Sequence, residues 1–203
     1  MKQLPLPLSA GASPSRIVVG AANAAVVDAF AHARDWPFRT AVLAGPPRAG
    51  KSLLARWFET SGQGEAIDDA ERMDETALFH RWNRAQESGT ALLIVTNAGE
   101  EGWAIRLPDL ASRLGGSLHL AIGPPDEAMM AELIALHAEL RGFSLGPDAA
   151  AYLVPRAERS HLGIERLVEA IDRLSLERKQ PPGAAIWREA LDEANGQSQP
   201  PLL

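Results

Sequence analysis

The chain has 203 residues, 46% hydrophobic and 23% charged, with no cysteine; it can bury a core of its own as one domain or a domain with a small satellite, and disulfides and thiolate metal sites are excluded. Its 26 Asp+Glu outweigh 20 Lys+Arg for a net charge of −6, and without a dense basic run this argues against autonomous DNA binding through phosphates. No stretch approaches the roughly 18 consecutive apolar residues of a membrane span, and His32, His80, His119, His137 and His161 show no ligand spacing.

The chain opens MKQLPLPLS. Leu4, Leu6 and Leu8 alternate like one face of a strand, but Pro5 and Pro7 cannot donate to a central ladder and instead hold the backbone extended. One lysine and no long apolar run do not make a signal peptide; together with the missing cysteines this fits the cytoplasm. The segment reads as an exposed, semi-rigid apolar hook, with SAGASPS (9–15) a flexible linker behind it. Asn23 is expected to cap a helix reaching about Arg34, with Ala24, Val27, Phe30 and Ala33 at helical spacing, and Trp36-Pro37 stops it. TAVLAG (40–45), ALLIVT (91–96) and SLHLAI (117–122) read as strands, and helices are expected over 50–60, 76–88 and 126–141. The last has Met129, Leu133, Leu136 and Leu140 on one stripe and ends at Gly142.

Strands alternating with helices predict a parallel α/β sheet. After Pro124-Pro125 the strands stop, and the rest reads as helix and turn, including an amphipathic run over 164–176. The expected organisation is a hook and linker (1–12), an α/β base (13–123), a small helical lid (124–196) and a flexible tail (197–203).

GPPRAGKS (45–52) fits G-x-x-x-x-G-K-[ST] at every fixed position and lies between a strand and a helix, where the mechanism needs it. Gly45, Pro46, Pro47, Arg48, Ala49, Gly50, Lys51, Ser52 and Leu53 are the candidate nucleotide-binding residues. Main-chain N–H groups of such a loop cradle phosphate, Lys51 reaches the β/γ-phosphates and the Ser52 hydroxyl holds Mg²⁺. The bland alternative is a chance Gly/Pro loop before a helix. In EAIDDAE (65–71), Asp68 is the candidate metal-side acid and Asp69 its polarising partner; the competing reading makes them the N-cap of the next helix. Asn97, just after ALLIVT, is placed to orient a water beside a γ-phosphate, or is a plain strand cap. Arg113, on a short helix in LPDLASRL, stabilises charge on a neighbouring subunit's nucleotide, or forms a surface salt bridge.

These residues resemble the initiator branch of the AAA+ ATPases and, within it, the Hda family, regulators of the bacterial replication initiator DnaA. The likeness rests on the Q-L-x-L-P-L start, the P-loop with Asp68-Asp69, LPDLASRL (107–114), LRGFSLGPDAAAYLVPRAERS (140–160) and IDRLSLERKQP (171–181). It implies a cytoplasmic AAA+ α/β base with a helical lid, binding ADP or ATP with Mg²⁺. It further implies that the N-terminal hexapeptide docks on the DNA polymerase III sliding clamp (the beta subunit), with Gln3, Leu4, Leu6, Pro7 and Leu8 matching. On the clamp, the family promotes hydrolysis of DnaA-bound ATP, with Arg113 at the position of its arginine finger. Three buried leucines would contribute about 1.5–3 kcal/mol each against roughly 1–2 kcal/mol per ordered residue, so such a hook binds weakly alone and gains from a second contact.

Three departures from the pattern set further expectations. SGQGEAI (61–67) is too short for the strand and helix that such bases usually carry, so the sheet should be one strand smaller. Arg48 stands where related loops often have glycine. On the lid, where relatives place a nucleotide-touching arginine, the register puts Glu165 near that point, with Arg166 beside it and Arg159 a little before; Arg166 is the choice over Arg159, and if neither reaches the phosphates, the chain's own hydrolysis is slow or absent. A nucleotide-dependent homo-oligomer is compatible with the fold. The alternative function is a self-sufficient AAA+ ATPase switch of helicase-loader type.

Overall fold

The structure, a computed structural model, describes residues 2–5, 16–98 and 103–197. The chain divides into two compact units, one from Gln3 to Gly123 and the other from Pro124 onward, with which Lys2 also groups.

In the first unit, strands β1 (Lys2–Pro5) and β2 (Arg16–Val19) form a two-stranded sheet. The free hook expected from Gln3, Leu4, Leu6, Pro7 and Leu8 is therefore corrected at its start: Gln3 and Leu4 lie in a paired strand. Pro5 ends that strand, a position where the missing N–H costs no ladder bond. Leu6, Pro7 and Leu8 lie outside the described residues.

Asn23 does not cap helix α1 (Ala24–Ala31). Its buried side chain instead staples the preceding turn, accepting from Gly20 N–H at 3.0 Å and donating to the Val18 carbonyl at 2.9 Å. The helix also ends earlier than Arg34, giving way to a 3₁₀ turn over Ala33–Asp35. Its buried contacts are Val26 and Phe30, because the turn of tighter pitch, and not a further α-helical turn, brings Ala33 inward.

The main sheet contains β3 (Thr40–Ala44), β4 (Glu65–Ile67), β5 (Leu92–Val95) and β6 (Leu118–Ala121), all parallel, in the order β4-β5-β3-β6. It has four strands, the reduced sheet expected from the short 61–67 segment. Residues alternate between its faces. Ala41, Leu43, Leu93 and Val95 face a core completed by α1 and α2 (Lys51–Thr60). There Phe58 meets Phe30 edge-on at 5.0 Å and stacks on Trp36 at 5.4 Å. Val42, Leu92 and Ile94 face the other core, under α3 (Glu75–Ser88) and α4 (Pro108–Gly115). Burial on both faces explains why ALLIVT reads as a continuous apolar run.

The turn from α2 into β4 shows how seven residues replace a longer connection. Gly62 takes a left-handed φ of 70°, and Gly62 N–H and Gln63 N–H bond back to Glu59 and Phe58 carbonyls at 2.9 and 3.1 Å, closing the helix in a Schellman arrangement. The free edge of β4 is covered locally: Ala66 N–H donates to the Glu59 carboxylate at 3.0 Å, which satisfies a donor that an additional strand would otherwise pair. Gly64 passes so close to β5 that an added Cβ would lie 2.2 Å from the Ala91 carbonyl oxygen. That oxygen is fixed by the Glu65 N–H bond at 2.9 Å. Gly64→Ala is therefore expected to destabilise the unit by about 3 kcal/mol, the upper range of overpacking, read as a lowered denaturation midpoint; an unchanged midpoint would contradict this account of the turn.

The second unit comprises α5 (Glu127–Leu140), α6 (Pro147–Leu153), α7 (His161–Arg178) and α8 (Ala184–Gln197) around one core that includes Met130, Ile134, Leu153, Leu167, Ile171 and Leu191. Asp126 and Ser160 cap α5 and α7 through Met129 N–H at 2.7 Å and Gly163 N–H at 2.9 Å. The stripe expected on α5 is corrected: Met129, Met130, Ile134, Leu136 and Ala138 are buried, Leu133 is half-buried and Leu140 is 44% exposed. On α7 the run ends at Leu174, and Leu176 is 70% exposed. Arg173 pairs with Glu193 and Arg178 with Glu189, tying α7 to α8 along their exposed sides. Among the described residues no helix is long and apolar enough to cross a membrane.

Candidate anion-binding site

Loop 45–50 leaves the C-terminal end of β3 and runs into α2. Gly45 (φ 159°) presses on the end of β6, where a Cβ would stand 3.1 Å from the Ile122 Cβ. Gly50 is the N-cap of α2 in the left-handed region, φ 82°, and supplies no side-chain cap. The first-turn N–H groups of α2, at Lys51, Ser52 and Leu53, thus stand at a helix end that lacks a side-chain acceptor and carries the positive pole of the helix dipole. Arg48 sits at φ 64°, which explains why glycine suits this position in related loops; the local backbone cost is borne within the loop. Pro47 and Arg48 are exposed, Pro46 is half-buried and Ala49 is buried.

Lys51 is only 5% exposed. Its ammonium donates to the Gly45 and Pro46 carbonyls at 2.8 and 2.9 Å, folding the side chain back over the loop. Burial pushes Lys51 below its ordinary pKa, and the nearby charges of Asp68, Glu71 and Asp69 pull it part of the way back. An ammonium that is buried and hydrogen-bonded to carbonyls is a strong donor for an anion.

Asp68 and Asp69 follow β4, and Asn97 follows β5, its neighbour in the sheet. Asp69 holds a left-handed φ of 49°, and its side chain accepts from Asn97 Nδ2. It does not cap the following 3₁₀ turn, Ala70–Arg72; the cap of α3 is Asp74, which accepts from Ala77 N–H at 2.9 Å. The capping alternative for the acid pair therefore gives way to a contact between Asp69 and Asn97. Ser52 is exposed on the first turn of α2.

Glu71 is a site residue that sequence reading missed. Its carboxylate accepts from Asn97 N–H at 3.1 Å, fixing the backbone that carries the Asn97 side chain. Burial alone would raise the Glu71 pKa, but hydrogen bonds from the Glu71 and Asn97 backbones and from the Asn97 and Thr96 side chains outweigh it and hold the carboxyl below its ordinary value. A lowered folded pKa adds stability above the unfolded pKa that disappears as pH falls through the folded value. Glu71→Gln is thus expected to cost about 1 kcal/mol at pH 7 and to approach wild type at strongly acidic pH in denaturation experiments; a penalty independent of pH would contradict this assignment.

Arg113 lies at the C-terminal end of α4, just before β6 starts. All four strands run parallel, so this is the end of the sheet opposite loop 45–50, across roughly 15 Å of strand. Arg113 is exposed, and its guanidinium carbon sits 5.1 Å from the Trp82 ring centroid. It pairs with no carboxylate among the described residues, so the surface salt bridge considered from sequence is replaced by an aromatic contact. Arg159 and Arg166 belong to the helical unit. Arg159 pairs with Glu127 at 3.4 Å, whereas Arg166 is half-buried on α7. A cavity of about 440 Å³ lies between α4 and the sheet, lined by Val42, Thr96, Trp103, Ile105, Leu114 and His119; loop 45–50 is not part of it.

No protein-family model matches the chain. Its fold is similar to domain III of the Thermotoga maritima replication initiation protein DnaA, with a TM-score of 0.70 and 15% identity over 87% of this chain and 94% of that one. It is also similar to the Thermotoga maritima RuvB Holliday junction branch migration motor, with a TM-score of 0.61 and 17% identity over 85% of this chain and 68% of that one. AMPPCP-bound DnaA from Aquifex aeolicus matches with a TM-score of 0.59 and 15% identity over 80% of this chain and 66% of that one; the chain spans about two thirds of the length of this and the RuvB chain. At these identities the likeness concerns architecture. The chain has the α/β fold of DnaA domain III and RuvB, with a four-stranded parallel sheet.

Proposed function

We propose that this chain is a nucleotide-binding AAA+ regulator of replication initiation, related in role to the Hda family, that docks on the DNA sliding clamp and promotes hydrolysis of DnaA-bound ATP. The observation that carries the reading is the placement of Arg113: exposed, with no carboxylate partner among the described residues and at the far end of the sheet from its own loop, it is suited to charge on another molecule. An arginine delivered this way stabilises the negative charge spread over a phosphoryl group in transfer.

The chain's own site suits ADP or ATP. Loop 45–50, the uncapped first turn of α2 and the Lys51 ammonium form one donor set for phosphate. Ser52 and Asp68 are the candidate Mg²⁺ ligands; a Mg²⁺ held by them would supply positive charge that neutralises phosphate. Among the described residues no group of three or more His, Cys, Asp and Glu could hold a metal by itself. On this reading the nucleotide is chiefly structural.

The clamp contact falls to Gln3, Leu4, Leu6, Pro7 and Leu8, and it offsets the net charge of −6 by tethering the chain to DNA through a protein and not through phosphates. Gln3→Ala/Leu8→Ala should abolish binding to the purified clamp in an equilibrium binding assay while leaving the ADP-Mg²⁺ thermal shift intact. Clamp binding by this double variant at wild-type affinity would remove the proposed contact. The helicase-loader-type alternative is favoured by one feature, the Asp69–Asn97 pair tied to Glu71, and it requires ATP turnover by the chain alone, unaffected by loss of Gln3 or Leu8.

A further inference from the structure

Arg113 and Trp82 come from different helices, α4 and α3, 31 residues apart in sequence, and meet through the face of the indole at 5.1 Å. Trp82 is 4% exposed, and its Nε1–H is buried with no hydrogen-bond partner among the described residues. A smaller aromatic or aliphatic side chain would strand no donor there, so the indole carries a polar cost that packing alone does not require. What tryptophan adds is the most favourable aromatic face for a cation.

We infer that Trp82 is a positioning residue for Arg113, an aromatic platform that holds the guanidinium ready for phosphoryl oxygens presented by another molecule; the inference rests on the adaptor reading above. The chemistry favours a ring over a carboxylate. A carboxylate partner would occupy the planar N–H donors of the arginine and neutralise its charge. Contact through the π-face leaves the charge and the edge donors available while narrowing the rotamers of a long side chain. The backbone adds a second restraint, since the Arg113 carbonyl accepts from Ser117 Oγ at 2.9 Å.

Phe38 also lies against the platform. Its ring lies 6.2 Å from Trp82 and remains 48% exposed. It is kept there by a left-handed backbone, φ 49°, followed by Arg39 at 46°, with Gln86 Nε2 donating to the Phe38 carbonyl at 2.7 Å. Two adjacent non-glycine residues in this region are strained, and they keep an exposed ring beside Trp82.

The test is single-turnover hydrolysis of ATP preloaded on DnaA, with DNA-loaded sliding clamp, comparing wild type, Trp82→Phe, Trp82→Leu, Arg113→Ala and Trp82→Leu/Arg113→Ala. Trp82→Leu should lower the stimulated rate about fivefold, Trp82→Phe should restore most of it, and the double variant should be no slower than Arg113→Ala. A wild-type rate for Trp82→Leu, or a further loss in the double variant, overturns the inference while leaving the adaptor reading in place. Failure of wild type to stimulate overturns both. The Arg113 side-chain NMR resonances give a readout independent of activity and of how well the leucine variant folds: a ring-current shift in the wild-type protein supports the contact, and its absence overturns it.

Discussion

Arg113→Ala is expected to reduce stimulated hydrolysis of DnaA-bound ATP by about 10³-fold or more, the usual scale for an arginine supplied in trans. The size follows from what the side chain does. It adds a full positive charge and fork-shaped donors where charge develops in the transition state, in surroundings that water screens poorly. Arg113→Lys should recover little, because a point ammonium can neither stack on Trp82 in the same way nor present two parallel donors. The substitution lies at the opposite end of the sheet from loop 45–50, so the ADP-Mg²⁺ thermal shift should remain and serve as the control for folding. Stimulation by the alanine variant at the wild-type rate would show that the charge comes from elsewhere.

Lys51→Ala should weaken ADP binding by about 2–3 kcal/mol, roughly 30- to 150-fold, and remove most of the ADP-Mg²⁺ thermal shift. Stability without nucleotide should change far less. Two effects there oppose each other: the Gly45 and Pro46 carbonyls lose the ammonium they bind, but a charge whose burial is unfavourable also disappears. The side chain is therefore held for a ligand more than for the fold. Calorimetry on both proteins checks this, and an unchanged ADP affinity in the variant would contradict the assignment of the loop.

The glycine-rich loop was legible in the sequence because its signal is local. Gly45, Gly50, Lys51 and Ser52 are set by a strand, a turn and a helix that adjoin one another, and even the departure at Arg48 marked the position that takes a left-handed backbone. Asp68, Asp69 and Asn97 were legible as residues at strand ends, though their mutual contact depends on which strands are neighbours. Glu71 was not legible, since its partner, the Asn97 backbone, is 26 residues away and meets it only because β4 pairs with β5. Trp82 reads as an ordinary core position of α3 until α4 brings Arg113 over it.

The misreadings have similar causes. On α5 a single stripe was expected, but the helix is buried along more than one line, through Met130, Ile134 and Ala138 and also through Met129 and Leu136. Leu140 consequently falls outside, at the end of the helix. Asn23 carries the composition of a cap but spends its hydrogen bonds on the turn before the helix, a choice that propensity alone does not decide. The start of the chain has a strand's alternation, and the prolines argued against a sheet; a two-stranded ribbon needs no central ladder, so β1 forms nonetheless.

The most direct test of the proposed function follows the fate of ATP preloaded on DnaA when the wild-type chain is added with sliding clamp, either free or loaded on DNA. The adaptor account predicts rapid hydrolysis only with loaded clamp and negligible turnover by this chain alone. Hydrolysis at the intrinsic DnaA rate under all conditions, or ATP turnover by this chain without DnaA, would contradict it.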